Sequence, residues 1–289
     1  MKKILLTGST GFIGRNILPI LQKKYDVYAP KRQELNLLDF NSVEEYLKSH
    51  KFDAVIQGAN PNPVKNTQSD KPETMLEDSM RIFMNFYQMR GCYGKMLYFG
   101  SGAEYGKNRD IILASEEQIG TTVPLDSYGL AKLWMNELAR NSSNIYNLRI
   151  FGCFGPYDHE SKFLTHVIRS CLRQKTITIR QNCIFDYMQV YDLAEVVSFF
   201  IEDHFQYHDY NVCTGRPISL YDIACKIKEK MRSENSIVIL KDGWNKEYTG
   251  SNKRLLQELP RSFAFTTIED GIDLQIAFER RLFNEEARS

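Results

Sequence analysis

Tyr128 and Lys132 stand four residues apart in "LDSYGLAK", a spacing that on a helix sets both side chains on one face within a turn. An ammonium beside a phenol favours the phenolate and lowers its pKa, so the pair is expected to give and take a proton near neutral pH. Ser101 follows the apolar run of "MLYFGSGAEYG", where a hydroxyl at a strand's carboxyl end would hydrogen-bond a carbonyl or alcohol oxygen and polarise it. Each feature alone is commonplace. Sixteen tyrosines make one Y-x-x-x-K expected by chance, and a turn serine ordinarily satisfies its own backbone. Their joint meaning depends on a scaffold that brings them to a cofactor.

That scaffold begins at "ILLTGSTGFIG", Ile4 to Gly14, which runs strand, G-x-x-G-x-x-G turn, helix. Such a turn brings backbone N–H groups and a helix N-terminus up to a pyrophosphate. Gly8 permits the turn, Gly11 lets phosphates approach without a Cβ in the way, and Gly14 lets the helix pack close to the sheet. Gly8, Thr10, Gly11, Phe12, Ile13 and Gly14 are therefore expected cofactor contacts, with Gly58, Ala59 and Phe151 further along the same crevice. After the second strand, "YAPKRQELNLLD" offers Lys31 and Arg32 before the first acid, Glu34. Cations there suit the 2′-phosphate of NADP(H), whereas an acid would bind the 2′-hydroxyl of NAD(H). Loop lysines and arginines are also common solvated residues, so NAD(H) stays open.

Strand-like runs at 4–6, 26–29, 54–56, 96–99 and 148–151 alternate with amphipathic helical segments at 13–24, 42–50, 73–90 and 127–141. The alternation predicts an α/β fold, a Rossmann-type doubly wound parallel sheet whose ligand crevice lies beyond the carboxyl ends of the strands. After Gly155-Pro156 the rhythm changes, while "DYMQVYDLAEVVSFFIED" and "YNVCTG" read as a helix and strand returning to the sheet. The expected division is a dinucleotide-binding domain of 1–156 plus about 186–215, interleaved with a smaller substrate domain of 157–185 plus 216–289.

Taken together, these stretches resemble the extended short-chain dehydrogenase/reductase family of nucleotide-sugar epimerases, dehydratases and reductases. "TGSTGFIG" is similar to the family's T-G-x-x-G-F-I-G turn, and Ser101, Tyr128 and Lys132 to its Ser, Tyr, Lys triad. "LRIFGCFGP", "FDYMQVYDLA" and "YNVCTG" are similar to its R-x-F-N-x-Y-G-P, R-D-[FY]-x-x-V-x-D-[LV]-A and Y-N-[VI]-G-x-G stretches. The resemblance runs from residue 1 to about 225; the last sixty residues match no motif. It implies hydride transfer between nicotinamide C4 and a sugar carbon with the tyrosine handling the hydroxyl proton, a nucleotide-sugar substrate, and a homodimer through helices around 73–90 and 127–141.

Gly102 and Ala103 stand where the family's dehydratases carry Asp-Glu, which argues against dehydration. "RQELNLLD" is similar to the GDP-fucose synthase branch, which implies Leu38 and Asp39 at the adenine. Epimerising members of that branch use a cysteine where Ala103 stands, and a histidine after the G-P turn; His159 and Lys162 follow the turn here at a different spacing. The economical expectation is a 4-keto-6-deoxy-sugar reductase. A nucleotide-sugar 4-epimerase with tightly bound NAD and a non-catalytic dinucleotide-binding protein are the alternatives. Gly152 and Phe185 replace the family's asparagine and arginine, leaving Arg180 as a candidate for the substrate diphosphate. Ser101, Gly102, Ala103, His159, Lys162, Arg180 and Tyr187 are the expected substrate contacts.

Composition sets the outer bounds. A chain of 289 residues with 43% hydrophobic and 25% charged residues and a formal net charge of +1 gives no reason to expect nucleic acid or membrane as partner. The six cysteines form neither C-x-x-C pairs nor a zinc-spaced cluster, so reduced thiols and no metal are expected. The first apolar stretch is broken by Thr7 and Gly8, so it is not expected to act as a signal peptide, no run approaches roughly 20 apolar residues, and the expected location is the cytoplasm.

Overall fold

Six short apolar runs pair in parallel to make the central sheet of the computed structural model, which describes residues 1–61 and 72–288. The strands are β1 (Lys3–Thr7), β2 (Asp26–Tyr28), β3 (Ala54–Gln57), β4 (Lys95–Ser101), β5 (Ile145–Ile150) and β6 (Asp209–Val212). Their spatial order is β2-β1-β3-β4-β5-β6. All residues of β3 and β5 are buried, as strands covered on both faces must be. The order reverses between β1 and β3, and a crevice opens at such a switch point.

The described residues form nine α-helices: α1 (Phe12–Leu21), α2 (Phe40–His50), α3 (Met75–Gln88), α4 (Ser127–Arg140), α5 (Phe163–Leu172), α6 (Val190–Glu202), α7 (Leu220–Met231), α8 (Lys253–Glu258) and α9 (Ile268–Glu286). Successive strand side chains point to opposite faces, so Ile4 and Leu6 of β1 meet Ile17 and Leu21 of α1 and Leu193 and Val197 of α6. Leu5, between them, packs on the other face with Val43 and Leu47 of α2, Phe83 and Phe86 of α3, and Met135 of α4. The doubly wound expectation follows from this two-sided cover.

A second core gathers Leu164 and Ile168 of α5, Ile223 and Ile227 of α7, and Ile272 and Ile276 of α9 around Ile177 and Ile179. Those isoleucines belong to a parallel pair, Ile177–Asn182 with Ile237–Trp244. Leu255 of α8, with Leu259 and Phe265, instead joins the central-sheet core, so the last part of the chain serves both cores. A small sheet in the order Ile218–Ser219, Ile184–Phe185, Tyr248–Gly250, Ile111–Ala114 stitches distant segments together. Among the described residues no helix is long and apolar enough to cross a membrane, and no cluster of three His, Cys, Asp or Glu could hold a metal ion.

Candidate active site

The glycine turn is a cradle with no room for side chains. Gly8 has φ +74°, and a Cβ on it would lie 2.8 Å from the Ala59 nitrogen; a Cβ on Gly14 would lie 2.2 Å from the Gly8 oxygen. Gly11 N–H donates to the Gly8 carbonyl at 3.0 Å, and Gly11 caps α1 without a side-chain partner. The first N–H groups of a helix lack intrahelical acceptors, and with the helix dipole they favour an anion. Asn16 ties α1 to the G-P turn by donating to the Pro156 carbonyl at 2.7 Å.

Two cavities meet over this turn. The larger, about 810 Å³, is lined by Gly8, Thr10, Gly11, Phe12, Ile13, Gly14 and Gly58 at one end and by Ser101, Tyr128, Lys132 and Phe151 at the other. The smaller, about 370 Å³, is lined by Lys31, Arg32, Leu38 and Ala59. Thr7, Gly8, Thr10, Asn60 and Pro61 border both, which makes one crevice running from the end of β2 past the switch point to the tip of β4. A turn whose glycines pack closely against Ala59 and against one another, flanked by a slot with two cations, fits a dinucleotide whose pyrophosphate rests on α1 and whose adenosine end reaches Lys31 and Arg32.

Asp126 starts α4 by accepting the Gly129 N–H at 2.8 Å. Gly129 lets the helix press on the turn after Ser101, since a Cβ there would lie 2.8 Å from the Ala103 oxygen. Tyr128 and Lys132 thus reach the crevice beside Ser101. Lys132 is 2% exposed, donates to the Phe99 carbonyl at 2.8 Å and stands 5.8 Å from the Tyr128 ring centre. Burial lowers its pKa to about 8, against the pull of Glu104. The phenol corrects the sequence expectation: burial raises the Tyr128 pKa, the Ser101 hydrogen bond pulls it down, and the Glu104 and Asp126 charges push it further up. Desolvation is the largest of these effects, and the ammonium of the helix-mate Lys132 is engaged at the Phe99 carbonyl.

Ser101 is fixed by the turn that follows it. Its Oγ accepts the Ala103 N–H at 3.2 Å, and its own N–H donates to Glu104 Oε1 at 2.9 Å, a reciprocal cap. Glu104, fully buried, turns away from the crevice to Arg149, 2.6 Å from Nε, and accepts from Asn147 Nδ2 at 3.2 and 3.0 Å. Arg149 in turn reaches Asp209 Oδ2 at 3.0 Å. Burial pushes the Glu104 carboxyl up and Arg149 pulls it back down.

Other expected residues divide. Tyr187 lines the larger cavity, with His159 and Lys162 at its exposed rim. Asp39 lines neither cavity; its carboxylate accepts the Asn41 N–H at 3.2 Å and caps α2. Gly102 and Ala103 are buried behind Ser101, and a Cβ on Gly102 would lie 2.6 Å from the Tyr248 hydroxyl. Arg180 is exposed on Ile177–Asn182, outside the cavity. The cations that do line it are Arg15, Lys107, Lys132, Lys162 and Arg169. Gly152 has a packing cause, because a Cβ there would lie 2.4 Å from the Asp186 oxygen.

Three lining groups escaped sequence reasoning. Asp158, next to His159, has its pKa raised to about 7 by burial, against the pull of Lys162. Lys107 stands 4.8 Å over the Tyr248 ring, and burial lowers its pKa against the pull of Asp126. Tyr248 lies in the stretch without motifs, and its only signal is three-dimensional: its hydroxyl is 3.5 Å from Ser101 Oγ.

Residues 4–213 match the NAD dependent epimerase/dehydratase family. The ADP-L-glycero-D-manno-heptose-6-epimerase of Brachyspira hyodysenteriae is 24% identical over 308 residues, covering 93% of this chain and 95% of that protein. The GDP-L-colitose synthase of Yersinia pseudotuberculosis is 29% identical over 185 residues, 60% of this chain and 59% of that one. Among solved structures, a GDP-mannoheptose C4 reductase from Campylobacter jejuni with NADP bound superposes with a TM-score of 0.81 at 18% identity, covering 96% of this chain and 98% of that one, which speaks to the fold. With the family match spanning most of its length and a cradle built for the dinucleotide, the chain belongs to the NAD dependent epimerase/dehydratase family, enzymes of the extended short-chain dehydrogenase/reductase type that use NAD(P).

Proposed function

We propose that the protein is an NADP-dependent reductase of a nucleotide-linked 4-keto-6-deoxyhexose. The observation that carries this reading is the meeting of Ser101, Tyr128 and Lys132 at one end of the crevice, with a phenol that is protonated near neutral pH and that burial makes harder to ionise. A protonated phenol is the form a ketone reduction needs. A nicotinamide held at this end of the crevice would supply the hydride. Tyr128 gives its proton to the sugar oxygen, Ser101 hydrogen-bonds that oxygen, and Lys132 holds positive charge behind the phenol. The carboxylate nearest after Ser101, Glu104, is committed to Arg149, which supports reduction over elimination of water. Lys31 and Arg32 border the smaller cavity and support NADP(H) through its 2′-phosphate. Lys107, Lys162 and Arg15 are the cations available to a substrate diphosphate, in place of Arg180, since Arg169 is held by Glu279 at 2.7 Å. The interleaved smaller domain would carry the nucleotide-sugar side of the cleft. A homodimer through α3 and α4 belongs to the same reading, α4 presenting Trp134 at 56% exposure.

The second reading, a 4-epimerase with tightly bound NAD, draws on the Brachyspira relative, an epimerase matched along most of its length. Incubation with NADPH and a panel of nucleotide-linked 4-keto-6-deoxy sugars separates the two. Stoichiometric NADPH consumption is expected, and Tyr128→Phe should lower kcat by about 10²- to 10⁴-fold while NADPH binding persists. Interconversion of sugars by the protein as purified, with no NADPH consumed, would establish the epimerase instead. Equal turnover by Tyr128→Phe would remove the role given to the phenol.

A further inference from the structure

We infer that Tyr248 is a positioning residue of the active site, one that spends its hydroxyl proton on Ser101 and so reserves the Tyr128 proton for the substrate. The inference deepens the reductase reading and rests on it. Tyr248 enters from the strand Tyr248–Gly250, which pairs with Ile111–Ala114 and touches Ile184–Phe185. Its ring is 7% exposed and packs 5.2 Å from Phe151 and 5.5 Å from Phe185, centre to centre. Its hydroxyl occupies the space where a side chain at position 102 would stand. That glycine is what lets a residue 147 positions away reach the catalytic serine.

The hydrogen-bonding capacity of Ser101 decides the arrangement. A serine hydroxyl has one proton and two acceptor positions. At Ser101 Oγ, one acceptor position holds the Ala103 N–H at 3.2 Å. Tyr248, 3.5 Å away, and Tyr128, which lines the crevice beside Ser101, compete for what is left. Tyr248 is held firmly as the neutral phenol by burial, against the pull of Ser101 and with the Glu104 and Asp126 charges adding to it. The cation over its ring face, Lys107, also faces it. Tyr248 is the phenol whose hydroxyl stands within hydrogen-bond distance of Ser101 Oγ, and as a neutral phenol it has a proton to give, so it fills the second acceptor position. Ser101 must then direct its own proton outward, to Tyr128 or the substrate oxygen, and Tyr128 has no acceptor in Ser101. At 3.5 Å the contact is long, and hydrogen bonds of this kind tighten when the cleft is filled.

Tyr248→Phe keeps the ring and its packing and removes only the hydroxyl. With an acceptor position on Ser101 freed, neutral Tyr128 donates to Ser101, its pKa rises, and its proton is misdirected. The expected result is a kcat lower by roughly three- to tenfold, the worth of one hydrogen bond, with KM for the nucleotide sugar nearly unchanged. The alkaline limb of the reduction, where Tyr128 loses its proton, should move to higher pH. In a Ser101→Ala background Tyr248→Phe should change neither kcat nor that limb, because its effect passes through Ser101. Equal effects of Tyr248→Phe in both backgrounds, or a changed KM with an unmoved limb, would overturn the inference. A readout independent of turnover is the titration of Tyr128 in NADP⁺-saturated protein labelled with ¹³Cζ-tyrosine, its signal assigned with Tyr128→Phe. There the titration moves to higher pH in Tyr248→Phe if the inference holds, and an unmoved titration refutes it. Absence of turnover with every sugar in the wild-type protein would strike the reductase reading alone.

Discussion

Glu104→Gln isolates the charge that holds the Ser101 turn. The substitution keeps volume and shape but replaces one carboxylate oxygen by an NH2 group. Every partner of that carboxylate is a donor: Ser101 N–H and Asn147 Nδ2 on Oε1, Arg149 Nε and Asn147 Nδ2 on Oε2. Either orientation of the amide therefore sets a donor against a donor, and Arg149, with no solvent exposure, loses its 2.6 Å counter-charge. Removing one partner of a buried pair costs about 3–5 kcal/mol. A chain of 289 residues unfolds with an entropy of about 0.6 kcal/mol/K at roughly 2 cal/mol/K per residue, so Tm should fall by about 5–8 °C. The control is Glu269→Gln, which breaks the exposed Lys226–Glu269 pair, 2.7 Å apart and 37% and 47% exposed. Such a pair is worth at most about 1 kcal/mol, hence a Tm change under about 2 °C. Thermal unfolding of the two variants by circular dichroism checks the contrast. A Glu104→Gln variant that loses no more than Glu269→Gln would refute the view that this network carries the strand tip.

Two further outcomes follow from the crevice. Lys31→Glu with Arg32→Glu should lower kcat/KM for NADPH by roughly 10- to 100-fold, the worth of one charge-assisted contact to phosphate, and leave NADH little changed; equal loss with both cofactors would show that the cations do not read the 2′-phosphate. Asp158 has a folded-state pKa of about 7 against an ordinary value of 3.8. The stability tied to its protonated form is full below pH 3.8 and is lost as pH rises through 7. Asp158→Asn should therefore raise Tm relative to the wild-type protein at pH values above about 7 and not at acid pH, and a difference independent of pH would show that Asp158 does not carry this linkage.

How far the sequence reaches depends on whether a property is local. The glycine turn was legible because each glycine answers a contact within the strand, turn and helix themselves or at the neighbouring strand end: Gly14 against Gly8, Gly8 against Ala59. Strand and helix alternation was legible for the same reason, since a buried parallel strand needs an unbroken apolar run. The helix pair Tyr128 and Lys132 was legible as geometry and misjudged as electrostatics. Spacing tells which side chains share a face, while a phenol's pKa is set by how much water the neighbouring segments remove, and those neighbours come from elsewhere in the chain. Arg180 and Lys107 exchange places by the same logic. Arg180 alternates outward on its strand, between buried Ile179 and the strand's edge, and Lys107 is drawn over the cleft by a ring 141 residues further on. Tyr248 is the extreme case, because the feature that admits it is the absence of a side chain at Gly102. A missing Cβ records that something else occupies the space, and only the fold says what. Position 102 is thus where the chain trades a residue next to the serine for one supplied by the stretch that carries no motif. On this reasoning the differences in chemistry between chains of this fold are written partly in what stands opposite their glycines.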